Sequence, residues 1–150
     1  FMDPSNATLQ YNIGGASGRK SIVRQIYGAP DMMNRGSHAD MWWGGSAQDG
    51  WGIAFLQQMT WVFGVWFTYD ASGDPTWFVM PGGNWVDSNV WAGAIYQTSG
   101  APWLGRAYDV SRLQVNNVGT FRVTFTGNAA TFSYAIGSQS GTLPLSRQPF

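Results

Sequence analysis

The chain has 150 residues, enough for one compact domain with a hydrophobic core, or for one module plus part of another. Its formal net charge is zero, which argues against nucleic acid as the main partner because phosphate binding needs a basic surface. It contains no cysteine, which excludes a disulfide framework, a thiolate zinc site and a cysteine nucleophile.

The residue types favour strands and turns over helices. Glutamate is absent and lysine occurs once, whereas there are 20 Gly, nine Trp, six Tyr and nine Phe. This composition predicts an all-β protein, an antiparallel meander forming a small barrel or sandwich, with under about a tenth of its residues in helix. The longest apolar run, near residues 61–67, is too short to span a membrane as a helix. The scarcity of Lys and Glu beside abundant Thr, Ser, Asn and Gly favours a secreted or cell-surface bacterial protein.

The opening segment predicts two strands, residues 8–13 and 20–27, joined by the glycine turn GGASG. With an offset of 123 positions, this hairpin matches the one that ends the chain, so that Tyr11 falls on Tyr134. Such a match, with the apolar positions also in register, indicates an internal repeat. The identical residues of the first copy are Ala7, Thr8, Tyr11, Ile13, Gly14, Ser17, Gly18, Arg24 and Gln25.

The repeat predicts a chain made of one complete module preceded by the last hairpin of another. We assign residues 1–28 to this extra N-terminal hairpin, residues 29–40 to a linker without apolar periodicity, and residues 41–150 to the module. The first strand alternates apolar Leu9 and Ile13 with polar residues, so one face of the hairpin must be buried. The second copy already fills the equivalent place, so we expect the first at a sheet edge or across the subunit boundary of a homo-oligomer.

The module is predicted to contain strands at short, regular intervals, separated by turns such as DASGDP, PGG and TGN. One helical turn is expected near residues 108–115. The predicted strands cover residues 50–58, 60–69, 75–80, 90–98, 119–126, 130–136 and 141–148.

The turn DASGDP, residues 70–75, predicts a hairpin in which Tyr69 faces Thr76 and Phe67 faces Phe78 on the core side. The opposite face is then predicted to carry Gly64, Trp66, Thr68, Trp77 and Val79. Both faces are therefore apolar, whereas a half-exposed sheet normally alternates apolar with polar residues. Something is expected to cover the second face: another sheet, a neighbouring subunit or a ligand.

Five stretches then follow one another in a fixed order: MWWGGSAQDGWGIAFLQQ, WFTYDASGDPTWFVMPGG, GAIYQTSGAPW, VGTFRVTF and the ending YAIG…SRQPF. In this order they resemble a tryptophan-rich module of roughly 110 residues that recurs, singly or in tandem, in secreted proteobacterial proteins, sometimes beside hydrolase domains. The resemblance covers residues 41–150 and implies an architecture and a context, but no catalytic residues. The chain departs from the pattern after the tryptophan pair, where GGSAQ replaces Asn-Pro and an acidic residue.

The sequence contains few residue patterns that support catalysis, so we predict that the protein is not an enzyme and has no catalytic residue and no cofactor. His38, the only histidine, falls in the predicted linker and is expected to be solvated, and no G-x-S-x-G elbow is present. Asp70 and Asp74 could offer oxygens to a calcium ion, but a tight turn stabilised by Asp and Gly is favoured over a metal site.

The tryptophans carry the functional prediction, because indole rings stack on sugars and are enriched at protein interfaces. We predict a non-catalytic extracellular module for binding or assembly, whose partner is another protein or copies of itself. A carbohydrate-binding module and an accessory domain of a secreted hydrolase are the alternatives. The candidate binding residues are Trp43, Trp51, Trp66, Trp77, Trp91 and Trp103.

Overall fold

A computed structural model describes residues 1–28, 36–102 and 106–148. These residues form strands and two 3₁₀ turns, Ser46–Gln48 and Val110–Arg112, with no α-helix among them, so the all-β prediction is confirmed. The second turn lies where one helical turn was expected. The strands are β1 Asn6–Ile13, β2 Ala16–Val23, β3 Asp40–Trp43, β4 Gly52–Gln58, β5 Trp61–Tyr69, β6 Pro75–Met80, β7 Gly83–Asp87, β8 Val90–Ser99, β9 Gln114–Thr126, β10 Ala129–Ile136 and β11 Gln139–Arg147.

The chain divides into two compact units, one of residues 1–27 and 99–114 and one of residues 28–98 and 115–150. The first unit contains β1 and β2 as a separate two-stranded sheet. The predicted division into hairpin, linker and module stays a prediction. Residues 29–35 of the predicted linker lie outside the described residues.

The first hairpin is tighter than the sequence predicted. Its turn consists of Gly14 and Gly15, both with positive φ, of 56° and 81°. Two consecutive left-handed residues form a two-residue turn whose twist matches that of the strands, which glycine allows without strain. Ala16 therefore already pairs with Ile13, and β2 begins at residue 16 rather than 20 and ends at Val23 rather than at residue 27.

The second unit is a closed antiparallel barrel, which decides between the predicted barrel and sandwich. Its strands follow the order β6-β5-β4-β3-β11-β10-β9-β8, and β6 pairs back to β8 through Val79 and Tyr96. Closure leaves few exposed strand edges, so the backbone N–H and C=O groups of these strands find partners within the barrel.

Two strands of this unit, β3 and β7, were not predicted. The ladder between β5 and β6 ends at Met80, and Pro81 follows with no backbone N–H to donate. Beyond Gly82 the chain leaves β5 and pairs with β8 instead, beginning with Gly83 opposite Gly93. The PGG stretch, which predicted a turn, therefore separates β6, which pairs with β5, from β7, which pairs with β8.

Aromatic rings fill the barrel interior. The ring of Phe125 packs edge-on against Trp42 at 5.6 Å and against Phe55 at 5.4 Å, and Phe121 lies 4.3 Å from Trp91. The two contacts of Phe125 are edge-to-face, a preferred arrangement of aromatic pairs, and the Phe121–Trp91 contact is tilted. The core consists of Trp42, Ile53, Phe55, Val62, Trp66, Met80, Trp91, Ile95, Phe121, Val123, Phe125, Ala130, Phe132 and Leu145.

The predicted register of the β5–β6 hairpin is wrong by one residue. Trp66, not Phe67, lies opposite Phe78, and their ring centroids are 5.5 Å apart inside the barrel. The connecting loop has five residues rather than six, because the N–H of Asp70 donates to the carbonyl of Asp74 at 2.9 Å. One residue of slip moves every side chain of a strand to the other face.

Candidate binding surface

Two of the predicted binding tryptophans, Trp66 and Trp91, are buried in the barrel core. Trp66 packs against Phe132 at 5.1 Å and against Tyr134 at 4.9 Å. Because only 6% of the Trp66 surface and 1% of the Trp91 surface is exposed, both residues act chiefly in packing. A third candidate, Trp103, lies outside the described residues.

Of the remaining candidates, Trp77 faces outward, whereas Trp43 and Trp51 are partly buried and Trp51 packs against the core. Trp77 of β6 has half of its surface exposed, and it lies directly opposite Phe67 of β5, which is exposed to a similar degree. Tyr69 follows two positions along β5 on the same face and is also half-exposed. These three residues, Phe67, Tyr69 and Trp77, form what we call the outer aromatic surface. An exposed group of large apolar side chains on a regular ladder is the kind of surface that marks a contact site.

Beside Phe67 lies a cleft of about 370 Å³ that contains the other two candidates, Trp43 and Trp51. Trp42 and Trp43 are consecutive in β3, so strand alternation buries the first and leaves the second in the cleft wall. The ring of Trp51 lies against Gly44, where a Cβ would be only 2.8 Å from its Cζ2 atom. Any larger residue at position 44 would therefore push this ring out of place.

Gly50 brings the cleft and the outer aromatic surface together. Its φ is 110°, a conformation that side chains rarely adopt. A Cβ there would also lie 3.1 Å from the hydroxyl oxygen of Tyr69. The turn that carries Trp51 can thus rest against Tyr69 only with glycine at this position, so the two halves of the candidate site are positioned by one residue.

The charges near the site are carboxylates. Asp49 is the only charged residue in the described lining of the cleft, and Asp70 directly follows Tyr69. The Asp70 carboxylate accepts hydrogen bonds from the backbone N–H groups of Ser72 at 2.8 Å and Asp74 at 3.0 Å. These bonds are those of a local Asp turn. Across the described ranges, no group of three or more His, Cys, Asp or Glu side chains could hold a metal ion.

His38 is not the solvated residue that the sequence predicted. Its ring stacks on Phe125 with centroids 4.0 Å apart, and Trp85 packs against it at 5.5 Å. Both ring nitrogens are buried without a hydrogen-bond partner in the described structure. The backbone holds it there, because the N–H of His38 donates to the Gln57 side chain and its carbonyl accepts from the Trp42 indole. The end of the predicted linker therefore packs onto the barrel.

His38 is expected to titrate below 6.5, the ordinary pKa of an imidazole. Burial lowers the pKa of His38 most, and the positive charge of Arg147 lowers it further. The unfolded chain then binds a proton more readily than the folded chain, so stability falls as the pH drops through about 6.5 toward the folded-state pKa. As His38 is the only histidine, its imidazole proton signals in an NMR titration report this pKa directly. A midpoint at or above 6.5 would contradict the buried position.

Comparisons with family models, curated proteins and solved structures found no match. Among the described residues, no helix is long and apolar enough to cross a membrane.

Sequence reasoning missed Phe67 and Tyr69, which it placed in the core. The length of the β5–β6 loop is the signal that could have revealed these two residues. Residues 70–74 can form a five-residue loop as readily as residues 70–75 form a six-residue turn, and the shorter loop places Phe67 and Tyr69 on the outer face.

Proposed function

We propose that the chain is a non-catalytic extracellular module that binds protein, including copies of itself, through the outer aromatic surface. The observation that carries the proposal is the half-exposed pair of Phe67 and Trp77, side by side on one ladder with Tyr69 beside them. Aromatic residues of this kind are enriched at interface centres and supply most of the binding energy there.

Net charge supports self-association as the first case to test. The chain carries eight basic and eight acidic residues, so two copies do not repel each other over long range. Contact between identical aromatic surfaces would be isologous, each copy offering the same patch to the other, as in most dimers.

Two further parts of the proposal rest on other observations. The non-catalytic assignment is supported by His38, whose ring has aromatic neighbours and no polar partner among the described residues, and by Asp70, whose carboxylate serves a turn. Secretion or display on a bacterial cell surface is supported by the composition and by the resemblance to the tryptophan-rich secreted module.

Replacing Trp77 with alanine should weaken association by about 1–3 kcal/mol, or roughly 5- to 150-fold in Kd, as expected for an aromatic anchor. Sedimentation of the full chain over a range of concentrations measures this directly. The fold should persist, because Trp77 lies outside the barrel core.

Trp61→Ala is the matched control for this experiment. Trp61 and Trp77 have the same exposed fraction, 50%, but Trp61 lies at the opposite end of β5 from Tyr69. Association that is equally weakened by both changes would indicate general stickiness rather than a defined surface. A full chain that stays monomeric at every concentration would rule out self-association as the function of the surface.

A carbohydrate is the second candidate ligand, because the cleft combines the aromatic walls of Trp43 and Trp51 with the polar groups of Asp49 and Gln148. Tryptophan fluorescence in the presence of soluble glycans tests it. Trp51→Ala should then abolish the response while Trp77→Ala leaves it unchanged, which is the reverse of the pattern expected for protein association.

A further inference from the structure

The two copies of the repeated hairpin have the same geometry, residue by residue. All eight cross-strand pairs of β1–β2 recur in β10–β11 at an offset of 123, from Asn6↔Val23 to Ile13↔Ala16. Gly14 and Gly137 have φ values of 56° and 55°. In each copy a tyrosine ring covers the glycine opposite it, Tyr11 over Gly18 and Tyr134 over Gly141.

The equivalence extends beyond the hairpin, into the first residues of the chain. The bridge between Asp3 and Asn6 repeats the pairing of Thr126 with Ala129, at the same offset. The N–H of Arg24 donates to the carbonyl of Ser5, as that of Arg147 does to Asn128. Residues 1–3 therefore occupy the place that residues 124–126 have at the end of β9.

The two copies differ in burial. Phe132 and Leu145 are 0% and 2% exposed because they face the barrel interior, whereas their equivalents Leu9 and Ile22 are 43% and 46% exposed. Met2, the equivalent of buried Phe125, is also exposed. The first hairpin thus has the apolar face of a barrel hairpin, but the side chains of that face are largely exposed.

We propose that residues 1–27 are the closing hairpin of a second barrel of this architecture, whose earlier strands lie on the N-terminal side of Phe1. In the barrel described above, β10 pairs with β9 and β11 pairs with β3. The first hairpin would fill the corresponding slot, with β1 beside a strand that runs into residues 1–3. This inference does not depend on the proposed function of the outer aromatic surface.

The side chains of the second copy show what this slot provides. Arg147 at the end of β11 donates to the Asp40 carboxylate at 3.1 Å and to the Ser37 carbonyl at 3.0 Å. Arg24 is its equivalent and would meet the corresponding carboxylate of the second barrel. The slot of this barrel is already filled by a hairpin joined to β9 through a two-residue turn, and its Phe132 fills more volume than Leu9 would. The partner is therefore a barrel whose own slot is open.

A tandem chain tests the proposal. Residues 36–123 are fused directly to Phe1 of the full chain, so that Val123 precedes the residue equivalent to Thr124. Gln10 should then lie opposite Arg122 of the added segment, as Ser133 lies opposite Arg122 in the existing barrel. With Gln10→Cys and Arg122→Cys in that segment, oxidation should give one intramolecular disulfide, because directly opposed strand positions are close enough to bridge. The chain has no other cysteine.

Two variants and one control decide the outcome. Fusing residues 36–124 instead shifts the register by one residue and should prevent the disulfide. Leu9→Asp should unfold the added barrel of the tandem but leave the unfolding of the original chain unchanged.

A tandem whose added segment stays unfolded, or whose disulfide yield is the same as that of the shifted fusion, would overturn the proposal. Disulfide-linked dimers of the unextended chain carrying Gln10→Cys and Arg122→Cys would also overturn it, in favour of exchange between copies.

Discussion

Replacing Trp91 with alanine is expected to lower the free energy of unfolding by about 3–5 kcal/mol, the range found when large core aromatics are removed. Trp91 is fully buried, and its ring packs edge-on against Phe55 at 5.9 Å and in a tilted arrangement against Phe121 at 4.3 Å. Its removal leaves a cavity that these rings can only partly fill. Denaturant unfolding followed by circular dichroism measures the change.

Trp77→Ala provides the comparison within the same protein. Its side chain is half-exposed on the outer face, so the same substitution should cost less than about 1 kcal/mol of stability. Trp91→Ala should therefore lower the free energy of unfolding, whereas Trp77→Ala should weaken association and leave the stability nearly unchanged. A Trp91→Ala barrel as stable as Trp77→Ala would contradict the core assignment.

Arg147→Met should destabilise the barrel by about 2 kcal/mol, because the guanidinium ties the end of β11 to residues 37–42 through several contacts. It forms the ion pair with Asp40, donates to the carbonyls of Ser37 and Ala39, and lies over the Trp42 ring at 4.9 Å. The pair is partly buried, so the loss is smaller than for a fully buried ion pair. Thermal unfolding of the full chain measures it.

The repeat supplies the control for this prediction. Arg24 is the equivalent of Arg147 in the first hairpin and is exposed, so Arg24→Met should leave the barrel's stability unchanged. Arg147→Lys should fall between the two, because an ammonium keeps the charge but cannot reproduce the planar, multiply bonded fork. Equal effects of Arg147→Met and Arg24→Met would show that the ion pair contributes nothing to the barrel.

The fold class could be predicted because it depends on composition and on the spacing of turns, both of which are local. The repeat could be read for the same reason, since Tyr11 and Tyr134 stand at matching positions in matching strands. The barrel's closure through a single pair, Val79 with Tyr96, was out of reach because nothing in the residues near either position specifies its partner.

Which of the candidate residues face solvent could be predicted only in part, for more than one physical reason. The assignment of Trp43, Trp51 and Trp77 as contact residues stays a prediction, whereas the face that each strand residue occupies depends on loop length. The hydrogen bonds of the Asp70 carboxylate shorten the loop by one residue, which moves Trp66 into the core and Phe67 to the surface. His38 was misplaced for a different reason, since the contact that buries it comes from β9, far away in sequence.

The most direct test of the proposed function is the set of indole N–H signals of the nine tryptophans in a ¹⁵N–¹H NMR spectrum, followed as the full chain is diluted. If the outer aromatic surface mediates association, the signal of Trp77 should shift or sharpen on dilution. Those of the buried Trp42, Trp66 and Trp91 should stay unchanged. A spectrum in which the Trp77 signal is independent of concentration while the sedimentation behaviour changes would contradict the proposal and place the contact elsewhere.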